Sequence, residues 1–274
     1  MSGNSARGAR PVPPRLHALI AANAVLWAGE AEVFSTYFAS PRRSAATDEV
    51  WLARQCYKEM VDGVVGRLAS LSQAATFETA PTQATAALAD DAVRAELTHY
   101  ILFDIALQIS RSMQIGQNQT SALSPSGMSD RVGSDWPENI ELQTMRAQHR
   151  REHGAIGLRA QAFTEGGYCT LYRAGAALKG GTALDDAIAA ACLHVFDDEL
   201  DHMLQGIAGL ADAHVSPDEW ASLEALTVAQ GRCRIRMRNA QFGYPLSAER
   251  VRELEAGAAE PLAFDYTRAA LLAP

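Results

Sequence analysis

The chain has 274 residues, enough for one large domain or two small ones, and its composition, 48% hydrophobic and 20% charged, is typical of a soluble globular protein. Its net charge of −8 argues against nucleic acid or an anionic membrane as a partner. The four cysteines lie far apart with no Cys-x-x-Cys pair, which argues against a zinc ribbon or a disulfide framework and favours a reducing cytoplasm. No apolar run reaches the roughly 20 residues that a membrane-spanning helix needs.

Apolar residues recur at helical spacing along almost the whole chain, and alternating strand patterns are nearly absent. The sequence therefore predicts an all-α fold. Residues 1–14, rich in Gly, Ser, Arg and Pro, are expected to form a disordered tail ahead of a single helical domain over 15–274. The stretch Leu16–Gly29 loosely resembles the apolar part of a signal peptide, but His17 and Asn23 interrupt it and favour an amphipathic helix.

Capping residues and helix breakers divide this domain into successive helices. The predicted helices cover about 15–39, 47–75, 85–114, 138–178, 183–210 and 217–239. The fourth is the longest, and we expect a kink in it near Gly154 or Gly166. The polar stretch Gly116–Pro137 is predicted to be a crossover or lid loop.

Two segments have the pattern Glu-x-x-His, namely Glu96–His99 and Glu199–His202. Residues three apart share one face of a helix, so each segment presents a carboxylate and an imidazole in the same direction. A single such pair is as compatible with a solvated helix face as with a metal site. A four-helix di-metal site needs two such pairs and one further Glu from each of the two other helices.

Spacing identifies the two further glutamates. A hairpin of two helices, each of about 15 residues and joined by about 4, places partner ligands roughly 34 residues apart. Glu165 precedes Glu199 by 34 residues (199 − 165), and Glu59 precedes Glu96 by 37 (96 − 59). We prefer Glu59 to Asp62, because Glu59 lies among small and apolar residues whereas the face of Asp62 is mostly polar. The predicted metal ligands are Glu59, Glu96, His99, Glu165, Glu199 and His202.

With these six ligands and their spacing, residues 45–210 resemble the ferritin-like di-iron carboxylate proteins. These include bacterial multicomponent hydroxylases, the small subunit of ribonucleotide reductase and arylamine N-oxygenases. The resemblance implies a ferritin-like four-helix bundle, with additional helices at both ends, that binds two iron ions or, alternatively, two manganese ions.

The family also has an Asp directly before one Glu-x-x-His segment, which hydrogen-bonds a metal-bound His of the partner helix. Asp198 occupies that position here, so the resemblance implies that Asp198 orients His99. The corresponding position before the other segment is Ala95, which cannot form such a bond.

Four further residues are candidates for the pocket. Phe103 takes the position of the radical-forming Tyr of reductase subunits, so we do not expect a stable tyrosyl radical. Cys169, next to Tyr168, is either a cavity residue or a small core residue. Glu30 lies on the apolar stripe of its helix and is either a substrate-binding or metal-binding carboxylate or, as we prefer, a partner-facing or salt-bridged one.

Other polar residues are weaker candidates. His194 is out of phase with Glu199, and the position at which arylamine N-oxygenases carry an additional His is Val195, so the pattern does not support a seventh ligand. His149 and His153 are flanked by arginines and predicted to be solvated. The arginines that alternate along 232–238 predict a basic helix face in preference to an anion-binding site.

The predicted function is that of an O2-activating non-heme di-iron oxygenase or oxidase. It would hydroxylate, N-oxygenate or desaturate a small organic substrate in bacterial specialised metabolism. We expect a separate ferredoxin or reductase to deliver electrons, because no flavin or nucleotide motif is visible. The alternatives are a ferritin-like iron-storage protein, a helical bundle without metal, and a di-manganese enzyme. A homodimer is compatible with the sequence.

Overall fold

The computed structural model describes residues 12–65, 91–116, 136–210 and 215–270. Throughout these ranges the regular structure is helical, without strands, which confirms the all-α prediction. None of the helices in the described ranges combines the length and apolarity needed to cross a bilayer. Most of the predicted disordered tail (1–11) and of the predicted crossover or lid loop (117–135) lies outside the described residues.

The helices follow one another as a bundle with additional elements at both ends. In chain order they are α1 (Pro14–Phe38), α2 (Ala45–Tyr57), α3 (Asp91–Gly116), α4 (Pro137–Thr164), α5 (Thr170–Ala176), α6 (Ala183–Gln205), α7 (Pro217–Gln241), α8 (Ala248–Glu255) and α9 (Tyr266–Ala270). A π-helical segment, Lys58–Val65, continues α2 directly.

Side-chain caps determine where the helices that carry ligands begin. Ser44 Oγ accepts a hydrogen bond from the Thr47 backbone N–H at 3.3 Å at the start of α2. At the start of α6, Thr182 Oγ1 accepts one from the Asp185 N–H at 3.2 Å, and the Asp185 carboxylate accepts one from the Thr182 N–H at 2.9 Å. These reciprocal bonds satisfy N–H groups that lack partners within the helix. They therefore define the residue at which α6, the helix that carries Glu199, begins.

The helices pack in two connected groups. Helix α7 lies along α1 and α4, while α2 packs on α3 and α3 packs on α6. Aromatic side chains fill the space between the groups, where Trp51 of α2 stacks on Phe242 with ring centroids 4.9 Å apart and Phe34 of α1 meets the same ring edge-on. Burial of each large apolar side chain contributes about 1.5–3 kcal/mol. This core positions α2, α3 and α6 around a common interior space.

Helix α4 folds back on itself at Gly154, whose backbone (φ 51°, ψ −120°) is readily adopted only by glycine. Arg150 donates a hydrogen bond to Gln161, and Arg146 Nη2 donates one to Thr164 Oγ1 at 3.3 Å, so the two limbs run side by side. The sequence predicted a kink in a long helix. The structure instead shows a tight helical hairpin, which places the first limb over the second.

The predicted long fourth helix ends directly before Glu165. The next four residues, Gly166, Gly167, Tyr168 and Cys169, all have positive φ, between 52° and 66°. A left-handed backbone costs a non-glycine residue roughly 1–2 kcal/mol, so packing must hold Tyr168 and Cys169, both of which are buried. This left-handed turn separates α4 from α5 and places Glu165 at a helix end rather than within a helix.

Candidate metal centre

Four ligand-type side chains meet between three neighbouring elements. Glu59 comes from the π-helical segment, Glu96 and His99 come from α3, and Glu199 comes from α6. Each residue contributes one ligand atom, and these four atoms all lie within 4.8 Å of one another. All four residues are buried. Three carboxylates and an imidazole form a donor set that suits several divalent metals, so this cluster can hold a metal ion.

His99 presents one ring nitrogen to this cluster. Its Nδ1 lies 3.9 Å from Glu59 Oε2 and 4.0 Å from Glu96 Oε2, and within the described part of the chain it has no hydrogen-bond partner. A buried polar atom without a partner costs roughly 1–3 kcal/mol. A metal ion bound at about 2.0–2.2 Å from each donor would bridge gaps of this size. The observed position of Nδ1 is therefore compatible with metal binding.

The other ring nitrogen of His99 is held from the neighbouring helix. Its Nε2 lies 3.3 Å from Oδ2 of Asp198 on α6, the contact that the resemblance implied. A carboxylate in this position keeps the proton on Nε2 and leaves Nδ1 free to bind a metal. His202 has no such carboxylate, because Ala95 occupies the position on α3 that corresponds to Asp198. His202 is half-buried, and its Nδ1 has no hydrogen-bond partner among the described residues.

Glu59 lies where the helix changes from α to π geometry, a feature that is frequent at functional sites. Its carboxylate accepts a hydrogen bond from Gln55 Nε2. Burial raises the pKa of Glu59 to about 7, a shift that Lys58 opposes and Glu199 reinforces. A bound cation would offset this cost of burying the carboxylate.

Two glycines make room for the ligand carboxylates. A Cβ atom at Gly63 would lie 2.6 Å from Oε2 of Glu96, and one at Gly166 would lie 3.1 Å from Oε2 of Glu199. Any larger residue at Gly63 would displace the carboxylate. The small residues that the sequence places beside the predicted ligands thus have a steric role.

The other two predicted ligands are not part of this group of four. A small pocket is lined by Glu59, Glu96 and Glu199 of the cluster, and Glu165 lies half-buried on its wall at the end of α4. His202 lies one turn beyond Glu199 on α6. The structure therefore brings together the Glu59–Glu96–His99 half of the predicted site with Glu199. The left-handed turn after Glu165 places that residue at a helix end, while His202 is carried by α6.

Asp62 is half-buried and hydrogen-bonded, contrary to the prediction of a largely solvated face. Its carboxylate accepts hydrogen bonds from Gln143 Nε2 at 2.9 Å and Asn139 Nδ2 at 3.3 Å, and it lines the pocket beside the cluster. Burial raises its pKa. The first limb of α4 covers this face, which sequence periodicity alone does not reveal. His194 is exposed on α6 and lies outside the site.

Glu30 forms the salt bridge that we preferred. It accepts hydrogen bonds from Arg234 Nη2 at 2.6 Å, Arg234 Nε at 3.0 Å and Arg238 Nε at 3.2 Å. The prediction of a basic surface along 232–238 is wrong for these two arginines, which are buried. Arg238 Nη1 also donates to Gln55 Oε1 at 3.1 Å. Because Gln55 in turn donates to a metal-site carboxylate, a buried polar network connects α1, α2 and α7 to the site.

The remaining candidate pocket residues are buried but do not line the pocket beside the cluster. Phe103 contacts Tyr172, with ring centroids 6.5 Å apart. Cys169 Sγ lies 3.6 Å from the Phe196 carbonyl oxygen, and the Tyr168 hydroxyl accepts a hydrogen bond from the backbone of the C-terminal segment. Tyr172, which the sequence did not single out, is fully buried, and its pKa is raised by burial and by the nearby glutamates of the cluster.

Comparisons with protein-family models, with curated proteins and with solved structures find no match to this chain. Fold and site alone therefore define its class, an all-helical protein with a buried carboxylate–histidine cluster that is able to bind metal. This cluster is compatible with a di-metal site.

Proposed function

We propose that this protein is an O2-activating non-heme di-iron oxygenase or oxidase of the ferritin-like type, acting on a small organic substrate. The observation that carries the proposal is the arrangement around His99. Its Nδ1 is buried, lacks a partner among the described residues and faces two carboxylates, while Asp198 lies at its Nε2. Metal-binding histidines typically bond a carboxylate through the ring nitrogen that does not bind the metal.

Glu59, Glu96, His99 and Glu199 would hold metal, and Glu165 and His202 would complete a site for two ions. Ferrous ions bound in this way supply the electrons and the open coordination positions for reduction of O2. The proposed electron donor is a separate ferredoxin or reductase.

The protein's own residues would perform three tasks. Asp198 keeps the imidazole of His99 in the tautomer that binds metal. Gln55 is buried and accepts a hydrogen bond from Arg238, and it holds the carboxylate of Glu59 in place. The burial of the cluster excludes bulk water, which limits side reactions of activated oxygen.

The test is an anaerobic Fe(II) titration of metal-free protein followed by rapid mixing with O2. We expect two equivalents of iron, consumption of O2 and a transient visible absorption band. The Glu199→Ala variant should lose iron binding, whereas Glu224→Ala, an exposed glutamate on α7, should behave as wild type. Two bound irons without O2 consumption would instead favour storage or manganese chemistry. A folded protein that binds no metal would leave only the helical bundle.

A further inference from the structure

A second cavity lies between α5, α6 and the C-terminal segment 262–268, and it shares no lining residue with the pocket at the metal cluster. Its volume is about 220 Å³. An engineered cavity of about 150 Å³ lined by apolar side chains is already large enough to bind benzene. The second cavity therefore has room for one six-membered ring with a small substituent.

The walls of this cavity are mainly apolar. Helix α6 contributes one face, because its lining residues are spaced by four and therefore point in the same direction. The left-handed turn before α5 and the C-terminal segment each contribute an aromatic ring. The apolar lining residues are Tyr168, Phe196, Leu200, Leu204 and Phe264. Aromatic rings pack favourably on one another in offset or edge-on arrangements, so these walls suit a flat aromatic ring.

Contacts behind the walls hold these rings in place. The centroid of the Phe264 ring lies 5.0 Å from that of Tyr168 and 5.9 Å from that of Trp27. The Tyr168 hydroxyl accepts a hydrogen bond from the Asp265 N–H at 2.9 Å, which ties the C-terminal segment to the turn before α5. A wall that is already fixed does not have to be ordered when a ligand binds, so less binding free energy is lost.

One cation at this cavity keeps its hydrogen-bond donors free. The guanidinium carbon of Arg173 lies 4.2 Å from the centroid of the Tyr168 ring and 5.6 Å from that of Phe196. Arg173 is exposed and forms neither a hydrogen bond nor an ion pair with another described residue. Contact with a ring uses the face of the guanidinium and leaves the N–H groups in its plane available. Arg173 can therefore donate to a ligand that lies against the same rings.

The charges around the cavity favour an uncharged ligand. Arg268 pairs with Asp197 at 3.0 Å and with Asp201 at 3.4 Å, and Asp265 also lines the cavity. These three carboxylates would repel an anion, whereas Arg173 and Arg268 would repel a cation. A neutral group that accepts a hydrogen bond from Arg173 meets neither repulsion.

We propose that this cavity binds an uncharged aromatic compound with a single six-membered ring and one group that accepts a hydrogen bond. The ring packs against Phe264 and Leu200, and the accepting group receives N–H donors from Arg173 at the opening. The site is separate from the metal centre, so the inference does not depend on metal binding.

The test is calorimetric titration of the full chain with benzamide, cyclohexanecarboxamide and benzoate. Cyclohexanecarboxamide carries the same amide on a ring without π-electrons, and benzoate carries a negative charge on the same ring. We expect one benzamide to bind per chain with millimolar or tighter affinity. The other two compounds should bind about tenfold more weakly, because one loses the contacts between rings and the other meets the carboxylates. Benzamide affinity should be equal in metal-free and metal-loaded protein.

Two substitutions assign the ligand to this cavity. Arg173→Gln removes the free donors and Phe196→Leu removes an aromatic wall, and each should weaken benzamide binding about fivefold or more. Lys179→Gln removes an exposed positive charge shortly after α5 and is the matched control, which should leave the affinity unchanged. Far-UV circular dichroism checks that the variants fold, and since Arg173 is exposed, its substitution does not disturb the core.

Several results would overturn the proposal. One is the absence of saturable benzamide binding, and another is an equal affinity in wild type and Arg173→Gln. Benzoate or cyclohexanecarboxamide binding as tightly as benzamide would show that the ligand class is wrong. Benzamide binding to metal-loaded protein alone would assign the compound to the metal centre. Iron binding and O2 consumption are measured separately, so failure of this site and failure of the proposed function are distinguishable.

Discussion

Asp198 of α6 lies 3.3 Å from His99 of α3, and this contact joins the two helices that carry the Glu-x-x-His segments. The imidazole is completely buried, while the carboxylate side chain is 48% exposed. One helix thus orients a ligand that the other supplies, so the correct packing of α3 on α6 and the correct orientation of the donor nitrogen depend on each other.

The Asp198→Ala variant should bind metal about 10- to 100-fold more weakly than wild type, because His99 loses the group that fixes its tautomer. A competition titration with a chelator of known affinity measures the change. Asp197→Ala is the control, since Asp197 is exposed and pairs only with Arg268 among the described residues. If Asp198→Ala binds metal as tightly as Asp197→Ala does, the contact has no role in the site.

The Gly63→Ala variant should lose metal binding while remaining helical, because the new methyl group would lie 2.6 Å from Glu96 Oε2. Inductively coupled plasma mass spectrometry of the purified variant measures the metal content. Gly231→Ala is a matched control, since its methyl group would meet only the flexible side chain of Leu26. That control should lower stability and leave metal content unchanged. Full metal occupancy in Gly63→Ala would show that Glu96 does not need its observed position.

The metal-free protein should become less stable as the pH rises from 5 to 8. Burial raises the pKa of Glu59 from 4.5 to about 7, so the folded state binds more protons than the unfolded state between these values. The stabilising contribution is present below pH 4.5 and is lost as the pH passes through about 7, by up to roughly 3 kcal/mol. Urea unfolding at several pH values measures this slope.

The Glu59→Gln variant should flatten this pH dependence and be more stable than wild type at pH 8, because the buried group can no longer ionise. Glu224→Gln, at an exposed position, should retain the wild-type slope. An unchanged slope in Glu59→Gln would mean that another group titrates.

The Glu30→Gln variant should lower the free energy of unfolding by about 3–5 kcal/mol, because it leaves Arg234 and Arg238 buried without their shared counter-charge. Glu32→Gln, two residues along the same helix, removes a partly exposed pair with Arg250 and should cost about 1 kcal/mol or less. Chemical denaturation of both variants gives the comparison. Similar losses would show that the Glu30 network contributes no more than a surface ion pair.

Periodicity and capping were sufficient to predict several helix boundaries, although the two short C-terminal helices α8 and α9 were not predicted. The predicted helix at 183–210 corresponds to Ala183–Gln205, and that at 217–239 corresponds to Pro217–Gln241, since Thr182 and Pro217 mark clear starts. The Glu-x-x-His pattern and its spacing likewise selected all four residues of the observed cluster, because i,i+3 pairs on helices have only one way to face a common interior.

The hairpin in α4 and the left-handed turn after it depend on tertiary packing, so periodicity and capping could not predict them. The sequence showed Gly154 and Gly166 as weak points, but a glycine permits a hairpin or a left-handed turn without specifying either. For the same reason Arg146, which looks like an ordinary surface arginine in a polar segment, is buried once the first limb of α4 lies over the pocket. Charge patterns reveal solvated faces only when the neighbouring elements are known.

The π-helical segment Lys58–Val65 has a consequence for engineering. A π turn accommodates an extra residue relative to an α turn, so the side chains of Met60–Val64 are rotated with respect to an uninterrupted helix. Grafting this site onto an ideal bundle by copying only the donor residues would therefore move Gly63 away from the Glu96 carboxylate that it accommodates. A successful transplant would have to include the whole eight-residue segment, or shorten it by one residue and redesign the opposing surface of α3.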